Sequence, residues 1–394
     1  MTTFEFAPTP TTSVTARMQV NSPYKVYYPS DEYTTVTGLT SATLNVWIYT
    51  GTQGDSNTFV SGNNVDASIA GASGDRVNTP SKVLYSTAVG EIDEEFVSFD
   101  IANIVKSQIK QLFTGEDVES TGTVNTDVAV WVDYQLITKS GSTEFIHPLF
   151  QCIGLDGYTY FEEGVNAQTP YGALVSAGTL SVVEGEELYI PILLGGDATT
   201  VTYYNADGTV CNTDSYPVVP TLSYNQIKYS SCTDAASVTI ESGLPAARVI
   251  NINTLACNKH TPYKVSFLNR FGAIQSVWFN GNNTESTMSK TKKYSRIVTS
   301  SVNGSEYSNS RGSRYKQRLS STKAMTLNSG FYPEECNVTF EELIDSTESW
   351  IHKDDVILPI NITTSSFNKK TGINDNAINY TINVEFAFNK INNI

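Results

Sequence analysis

Between Ile378 and Phe388 the chain alternates strictly. Ile378, Tyr380, Ile382, Val384, Phe386 and Phe388 are apolar, and Asn379, Thr381, Asn383 and Glu385 lie between them. Alternate side chains point to opposite sides only in an extended strand; a helix returns to the same face about every 3.6 positions. The segment therefore reads as a half-buried strand, and one buried face with one wet face is the habit of antiparallel sheets. The same period runs through Val356, Leu358, Ile360 and Ile362, and through Val128, Val130, Val132, Tyr134 and Leu136. It recurs at Leu44, Val46 and Ile48, where Trp47 and Tyr49 share the other face. Tyr263–Leu268 and Ala273–Phe279 flank Asn269-Arg-Phe-Gly272 as a hairpin. Gly154-Leu-Asp-Gly157 and Asn205-Ala-Asp-Gly208 are turn sequences, because Asp-Gly supplies the positive φ of tight turns.

Composition agrees with a mainly β protein. The 394 residues include 22 Tyr and 17 Phe, and only 16% are Asp, Glu, Lys or Arg. Strand and turn formers dominate, which excludes a helical bundle or coiled coil. So many aromatics with so little charge exclude wholesale disorder. Two short helices are expected. One spans 100–113, with Asp100 as N-cap and Ile101, Ile104, Val105, Ile109 and Leu112 on its inner face. The other lies in Pro333–Ile351, where Phe340, Leu343, Ile344 and Trp350 fall inward, and is expected over 335–346. The fold expectation is several antiparallel β-sandwich-like modules. They are a β-rich domain with one helix over 1–150, a β domain over 151–298, a basic linker over 299–323 and an α+β module over 324–394. The Gly-, Ser- and Asn-rich stretch 51–79 reads as a long surface loop.

The patterns that carry chemistry are sparse. The histidines are His147, His260 and His352, and no H-E-x-x-H, G-x-S-x-G or G-x-x-x-x-G-K-[ST] pattern occurs. Cys257 and His260 are three apart but lack a second ligand pair, so they read as ordinary residues near a strand start. The carboxylate runs at 91–95, 162–163, 184–187 and 354–355 read as solvated turns. Five widely spaced cysteines suggest no disulfide framework, and none required for folding. The Asn-x-Ser/Thr triplets read as composition. Met1 to Pro8 show neither the basic start nor the apolar run of an export signal, and no apolar stretch approaches a membrane span. The expectation is therefore no enzyme, no catalytic residue, no cofactor and no metal.

Charge is the one feature that points to a surface. The chain has 25 basic and 40 acidic residues, a net charge of −15. Yet nine of the basic residues fall between Lys290 and Lys323, beside one acid, Glu306. The remainder is then 16 basic against 39 acidic, or −23. A basic strap among acidic domains suits docking on an acidic neighbour, including another copy of the chain. The expected contact residues are Lys290, Lys292, Lys293, Arg311, Arg314, Lys316 and Arg318, with Arg311, Arg314 and Arg318 as anchors because Arg pairs with carboxylates bidentately. Nucleic-acid binding is the competing reading of this segment, and a solvated linker the plainest one. The overall acidity favours neither nucleic acid nor a membrane surface as partner.

Two stretches carry a family resemblance. The first runs from Cys257 to Phe279. The second comprises Ala324–Phe331, Glu341–Asp345, Trp350-Ile351, Leu358–Ser366 and Ile378–Phe386. Together they resemble structural proteins of tailed-bacteriophage virions, of the tail and baseplate region, and the Val130–Tyr134 strand fits loosely. The resemblance implies β-rich modules, self-assembly and no cofactor. Its residues form packing and hairpin patterns, not catalytic signatures. The function expected is a structural component of tail, baseplate or collar that forms a ring by homo-oligomerisation and docks other virion proteins. It would be made in the host cytoplasm and reside in the virion. The alternative is a receptor-binding, adhesin-type protein of the virion surface, stacking sugars on exposed Tyr and Trp. Each of Trp47, Trp131, Trp278 and Trp350, however, falls within an expected core element.

Overall fold

The computed structural model describes residues 16–29, 39–49, 81–85, 96–106, 109, 113, 129–140, 142–164, 172–194, 198–216, 223–229, 235–242, 247–256, 260–296, 310, 312–366, 368–369 and 378–389. The fold is mainly β, in several sheets, with two short α-helices among the described residues. The 51–79 stretch, Cys257, Arg311 and part of the first expected helix lie outside the described residues.

The N-terminal region contributes β1 (Ala16–Gln19), β2 (Lys25–Pro29), β3 (Leu39–Tyr49), β4 (Ser81–Tyr85), β5 (Phe96–Asp100), α1 (Ala102–Lys106), β6 (Ala129–Ser140) and β7 (Thr143–Leu155). Its main sheet runs β1-β7-β6-β3-β4, and β2 pairs with β5. The 43–50 and 128–136 alternations thus fall on β3 and β6, which pair antiparallel with Val46 opposite Tyr134. Asp100 ends β5, and helical structure begins at Ala102.

The middle region is a sandwich. Its strands are β8 (Gly172–Ala173), β9 (Thr179–Val183), β10 (Leu188–Leu194), β11 (Thr199–Asn205), β12 (Val210–Tyr216), β13 (Ser223–Tyr229), β14 (Ala235–Ser242) and β15 (Arg248–Leu255). One sheet runs β13-β10-β8 and the other β12-β11-β14-β15-β9. Ile190, Ile192 and Ile227 of the first meet Val201, Tyr203, Val238 and Ile250 of the second in one apolar core. Asn205-Ala-Asp-Gly208 turns β11 into β12, with Gly208 at φ 81. Cys211 on β12 is disulfide-bonded. This corrects the expectation of no disulfide: the count and spacing of cysteines do not report which of them the fold brings together. Cys152 and Cys336 are buried free thiols.

The third region is a seven-stranded sheet. Its elements are β16 (Tyr263–Leu268), β17 (Ile274–Phe279), β18 (Thr284–Ser295), β19 (Arg314–Tyr332), α2 (Asn337–Asp345), β20 (Ser349–Lys353), β21 (Val356–Ile362) and β22 (Ile378–Phe386), in the order β17-β16-β20-β21-β22-β19-β18. The 263–279 hairpin and the β22 alternation form as read. Ile378, Tyr380, Ile382, Val384 and Phe386 are buried, while Phe388 lies past the strand end and is exposed. Phe340 of α2 plugs this core, stacked on Tyr380 at 4.2 Å and edge-on to Tyr332 at 5.1 Å. The helix stops at Ser346, whose extended backbone leads toward β20, which begins at Ser349. Trp350 is therefore buried from β20, not from a helix. The sheet pairing crosses the expected boundary at 298, since β16, β17 and β18 belong with β19–β22. Within the expected 299–323 linker, Arg314–Lys323 is strand.

The three regions meet at a turn. Asn269 at the tip of β16–β17 sends Nδ2 to the Leu174 carbonyl at 2.6 Å and to Gln275, while its Oδ1 accepts from the backbone N–H of Phe271 and Ala273. The backbone of this turn lies directly on Asp156-Gly157. A Cβ on Gly272 (φ +72) would come 2.5 Å from Asp156 backbone atoms, and one on Gly157 would come 2.5 Å from the Arg270 carbonyl. Around the turn, Ile153 and Leu155, Leu174 and Leu193, and Leu268, Phe271 and Trp350 form a single apolar cluster drawn from all three regions.

The β20–β21 hairpin has Asp354 and Asp355 as its two turn residues, at φ 52 and φ 60. Positive φ at both positions suits Asn-Gly far better than two like-charged aspartates. Asp354→Asn with Asp355→Gly is expected to stabilise the protein by about 1 kcal/mol, measured as a raised urea midpoint with unchanged slope.

Candidate functional site

The described parts of the basic segment lie largely on two paired strands. β18 and β19 pair from Thr284↔Thr326 out to Ser295↔Arg314. β22 accompanies β19 only from Ala324 onward. Beyond that point the two strands leave the sheet as a two-stranded arm. An isolated two-stranded ribbon is marginal in water, because it has no core face. The sequence explains why it carries no apolar stripe: β18 reads Thr-Glu-Ser-Thr-Met-Ser-Lys-Thr-Lys-Lys-Tyr-Ser and is exposed along its whole length except at half-buried Thr291.

The arm carries the expected contact residues. Lys290, Lys292 and Lys293 are exposed on β18, and Arg314 and Lys316 are exposed on β19. Arg318 holds the position opposite Thr291. Arg311 lies outside the described residues. A bulge leaves Leu319 without a cross-strand partner, so the register shifts between Lys290 and Thr291. Because directly paired residues share a face, Lys293 sits with Lys316 on one side of the arm. On the other side, Met288, Lys290, Lys292 and Tyr294 line up along β18. Tyr294 stacks on Tyr315 at 5.7 Å, and the Arg296 guanidinium lies 5.3 Å from the Tyr315 ring centre. Met288 and Tyr294 are 63% and 51% exposed, large values for apolar groups on an ordered strand. Sequence reasoning missed this aromatic tip. Its signal was present as Lys293-Tyr294 and Tyr315-Lys316, but only the register shows that the tyrosines meet.

The root of the arm is pinned electrostatically. Glu285 accepts from Lys323 at 2.8 Å and pairs with Lys353 of β20. Hydrogen bonds from these two lysines hold the Glu285 carboxyl down to about 2. The stabilisation is present above the ordinary carboxylate range and is lost only as pH falls toward that value. Its magnitude is small, because the group is largely solvated.

A second polar cluster sits where the middle and third regions meet. Arg248 turns its guanidinium inward to the carbonyls of Ala173, Val175 and Ser176. Glu342 of α2 is fully buried. Its Oε1 accepts from the Ser176 hydroxyl, and its Oε2 has no hydrogen-bond partner among the described residues. Burial pushes its carboxyl up to about 7, against the Ser176 hydrogen bond and the charge of Arg270. Arg270 pairs with Glu163 at 2.6 Å and lies over Tyr160 at 4.9 Å. Thr179 adds a hydrogen bond to Glu335 at 2.5 Å across the same boundary. Beside it is a cavity of about 230 Å3 lined by Asn21, Asp156, Tyr158, Asn269 and Thr347. Asn21 donates to Asp156 at 2.8 Å, and Asn269 is saturated. These groups tie elements together. His352 Nε2 is engaged with the Ser266 hydroxyl at 2.7 Å, and His260 is exposed. Among the described residues no three His, Cys, Asp or Glu side chains form a ligand-like group, and no helix is long and apolar enough to cross a membrane.

No protein-family model matches the chain, and no curated protein is significantly similar to it. The site must be read from its own chemistry.

The buried carboxyl gives a pH signature. Its native value lies above the ordinary 4.5, so the folded state holds its proton more tightly than the unfolded state does. Stability therefore falls as pH rises from about 4.5 to about 7, by on the order of 3 kcal/mol, and stays lowered above that. Glu342→Gln keeps the Ser176 contact without the charge. Urea unfolding is expected to find it similar to the parent at pH 5 and clearly more stable at pH 8.

Proposed function

We propose that this chain is a non-enzymatic structural subunit of a tailed-phage virion, part of tail, baseplate or collar, that self-assembles into a ring and grips its neighbours with the basic arm. The observation that carries the reading is the arm itself. Among the described residues it is a long ribbon open along both edges, with no core beneath it. Lys290, Lys292, Lys293, Arg314 and Lys316 form no ion pair with any described residue. A ribbon so exposed gains stability when a partner covers it, and its charge selects an acidic partner. A second copy of this acidic chain, or another acidic virion protein, meets that requirement. The sheets supply a rigid base, and the resemblance of 257–388 to virion structural proteins supports the same conclusion. The sugar-binding alternative gains little, because Trp278 and Trp350 are buried and so unavailable for stacking.

Ser289 and Ser321 face each other across the arm near its root. Replacing residues 290–320 with Asn-Gly would close the hairpin there. The shortened chain is expected to keep its fold, with stability changed by about 1 kcal/mol or less since no described core residue lies in 290–320. It is also expected to lose assembly in sedimentation velocity and electron microscopy. Rings formed by the shortened chain as readily as by the full chain would refute the proposal.

A further inference from the structure

The acceptor for the arm can be found on the chain itself. Residues 172–255 contain eight acidic residues and two basic ones, Lys228 and Arg248. Arg248 is spent on backbone carbonyls inside the molecule. The strand pairing gathers much of this charge at one end of the sandwich. β9 runs parallel to β15 with Val183 opposite Leu255. β14 runs antiparallel to β15, and β11 antiparallel to β14 with Asn205 opposite Ala235. The β9–β10 turn and the β11–β12 turn therefore project from the same end. The first carries Glu184, Glu186 and Glu187 and the second Asp207, all exposed. Hydrogen bonds from Thr209 hold the Asp207 carboxyl below its usual range, so it stays ionised.

We infer that the arm of one copy docks on this acidic end of the middle sandwich of a second copy. The inference rests on the reading of the arm as an assembly device and adds the identity of the receiving surface. Two observations select a second copy. Lys290, Lys292, Lys293 and Lys316 of the arm and the carboxylates of Glu184 and Glu186 are complementary, yet neither set pairs with a described residue of its own chain. Opposed charge of this kind sets register and excludes wrong partners. The contact also has anchors: stacked Tyr294 and Tyr315 with Arg296 are of the residue types that dominate binding energy at interfaces. Because donor and acceptor are different surfaces, the contact is head-to-tail. Repeating it generates a ring where the rotation closes and a filament where it does not.

Charge reversal on the full chain tests this. The arm variant is Lys292→Glu, Lys293→Glu, Lys316→Glu. The acceptor variant is Glu184→Lys, Glu186→Lys, Asp207→Asn, the last keeping the turn's hydrogen-bond acceptor. Circular dichroism and unfolding midpoint confirm that each is folded. Sedimentation velocity is expected to show each variant alone weakened in self-association about tenfold or more. An equimolar mixture should regain oligomers, because each reversed surface then meets its complement. An acceptor variant that assembles like the parent while the arm variant does not would overturn the acceptor assignment and leave the arm reading standing. The same holds for a mixture that fails to recover. Parental assembly by both variants would overturn the arm reading as well. So would a parent chain that stays monomeric and binds a short DNA duplex through the arm.

Discussion

The described structure depends on one place where backbone rests on backbone. Asp156-Gly157, at the exit of β7, lies against the Asn269–Gly272 turn so closely that neither glycine has room for a methyl group. Such contact leaves no space for water between the two backbones. The polar groups of both segments must then be satisfied locally. They are: Tyr158 N–H donates to the Arg270 carbonyl at 2.7 Å, and the Asn269 side chain absorbs two N–H groups and a carbonyl. Leu174 of the middle region reaches the same turn. The joint is thus a fixed vertex that holds three sheets in register with one another. The apolar cluster around it supplies burial, while the hydrogen bonds supply direction.

How much was legible in the sequence follows from which residues see two different environments. β22 and the β16–β17 hairpin were legible because one face of each is buried, and period two is the imprint of that asymmetry. Trp350 was misplaced on a helix because Leu343, Ile344 and Trp350 satisfy a helical spacing by coincidence, while the break at Ser346 leaves no strong mark. The arm was read as linker over 299–323 for the converse reason. Both of its faces meet solvent, so no alternation is written into Thr284–Ser295 or Arg314–Lys323. Its charge was visible and its shape was not. Glu342 is harder still. In sequence it is one of two adjacent glutamates on a helix, and its burial is decided by Ser176, Arg248 and Arg270, each remote along the chain. The disulfide at Cys211 likewise leaves no mark in cysteine count or spacing.

The arm and the vertex divide the molecule's labour. The Asn269 side chain, the Asp156 carboxylate and the Tyr158 N–H at the vertex are hydrogen-bonded, which favours a rigid platform. Charge that the platform excludes is gathered in exposed turns and on the ribbon, where it stays hydrated until a partner displaces the water. Solvated surface charge of this kind contributes little to folding and is free to serve recognition.

The bulge at Leu319 sets how that charge is dealt out. With the extra residue, Lys316 and Arg314 share a side with Lys293, while Lys290 and Lys292 keep the other side with the paired tyrosines. Were the strands in unbroken register, Lys316 and Arg314 would move across to join Lys290 and Lys292, and the tyrosines would part. A single unpaired residue thus changes the ribbon from a one-sided comb into a tongue that is positive above and below. A comb lies flat on one wall; a tongue fills a slot between two.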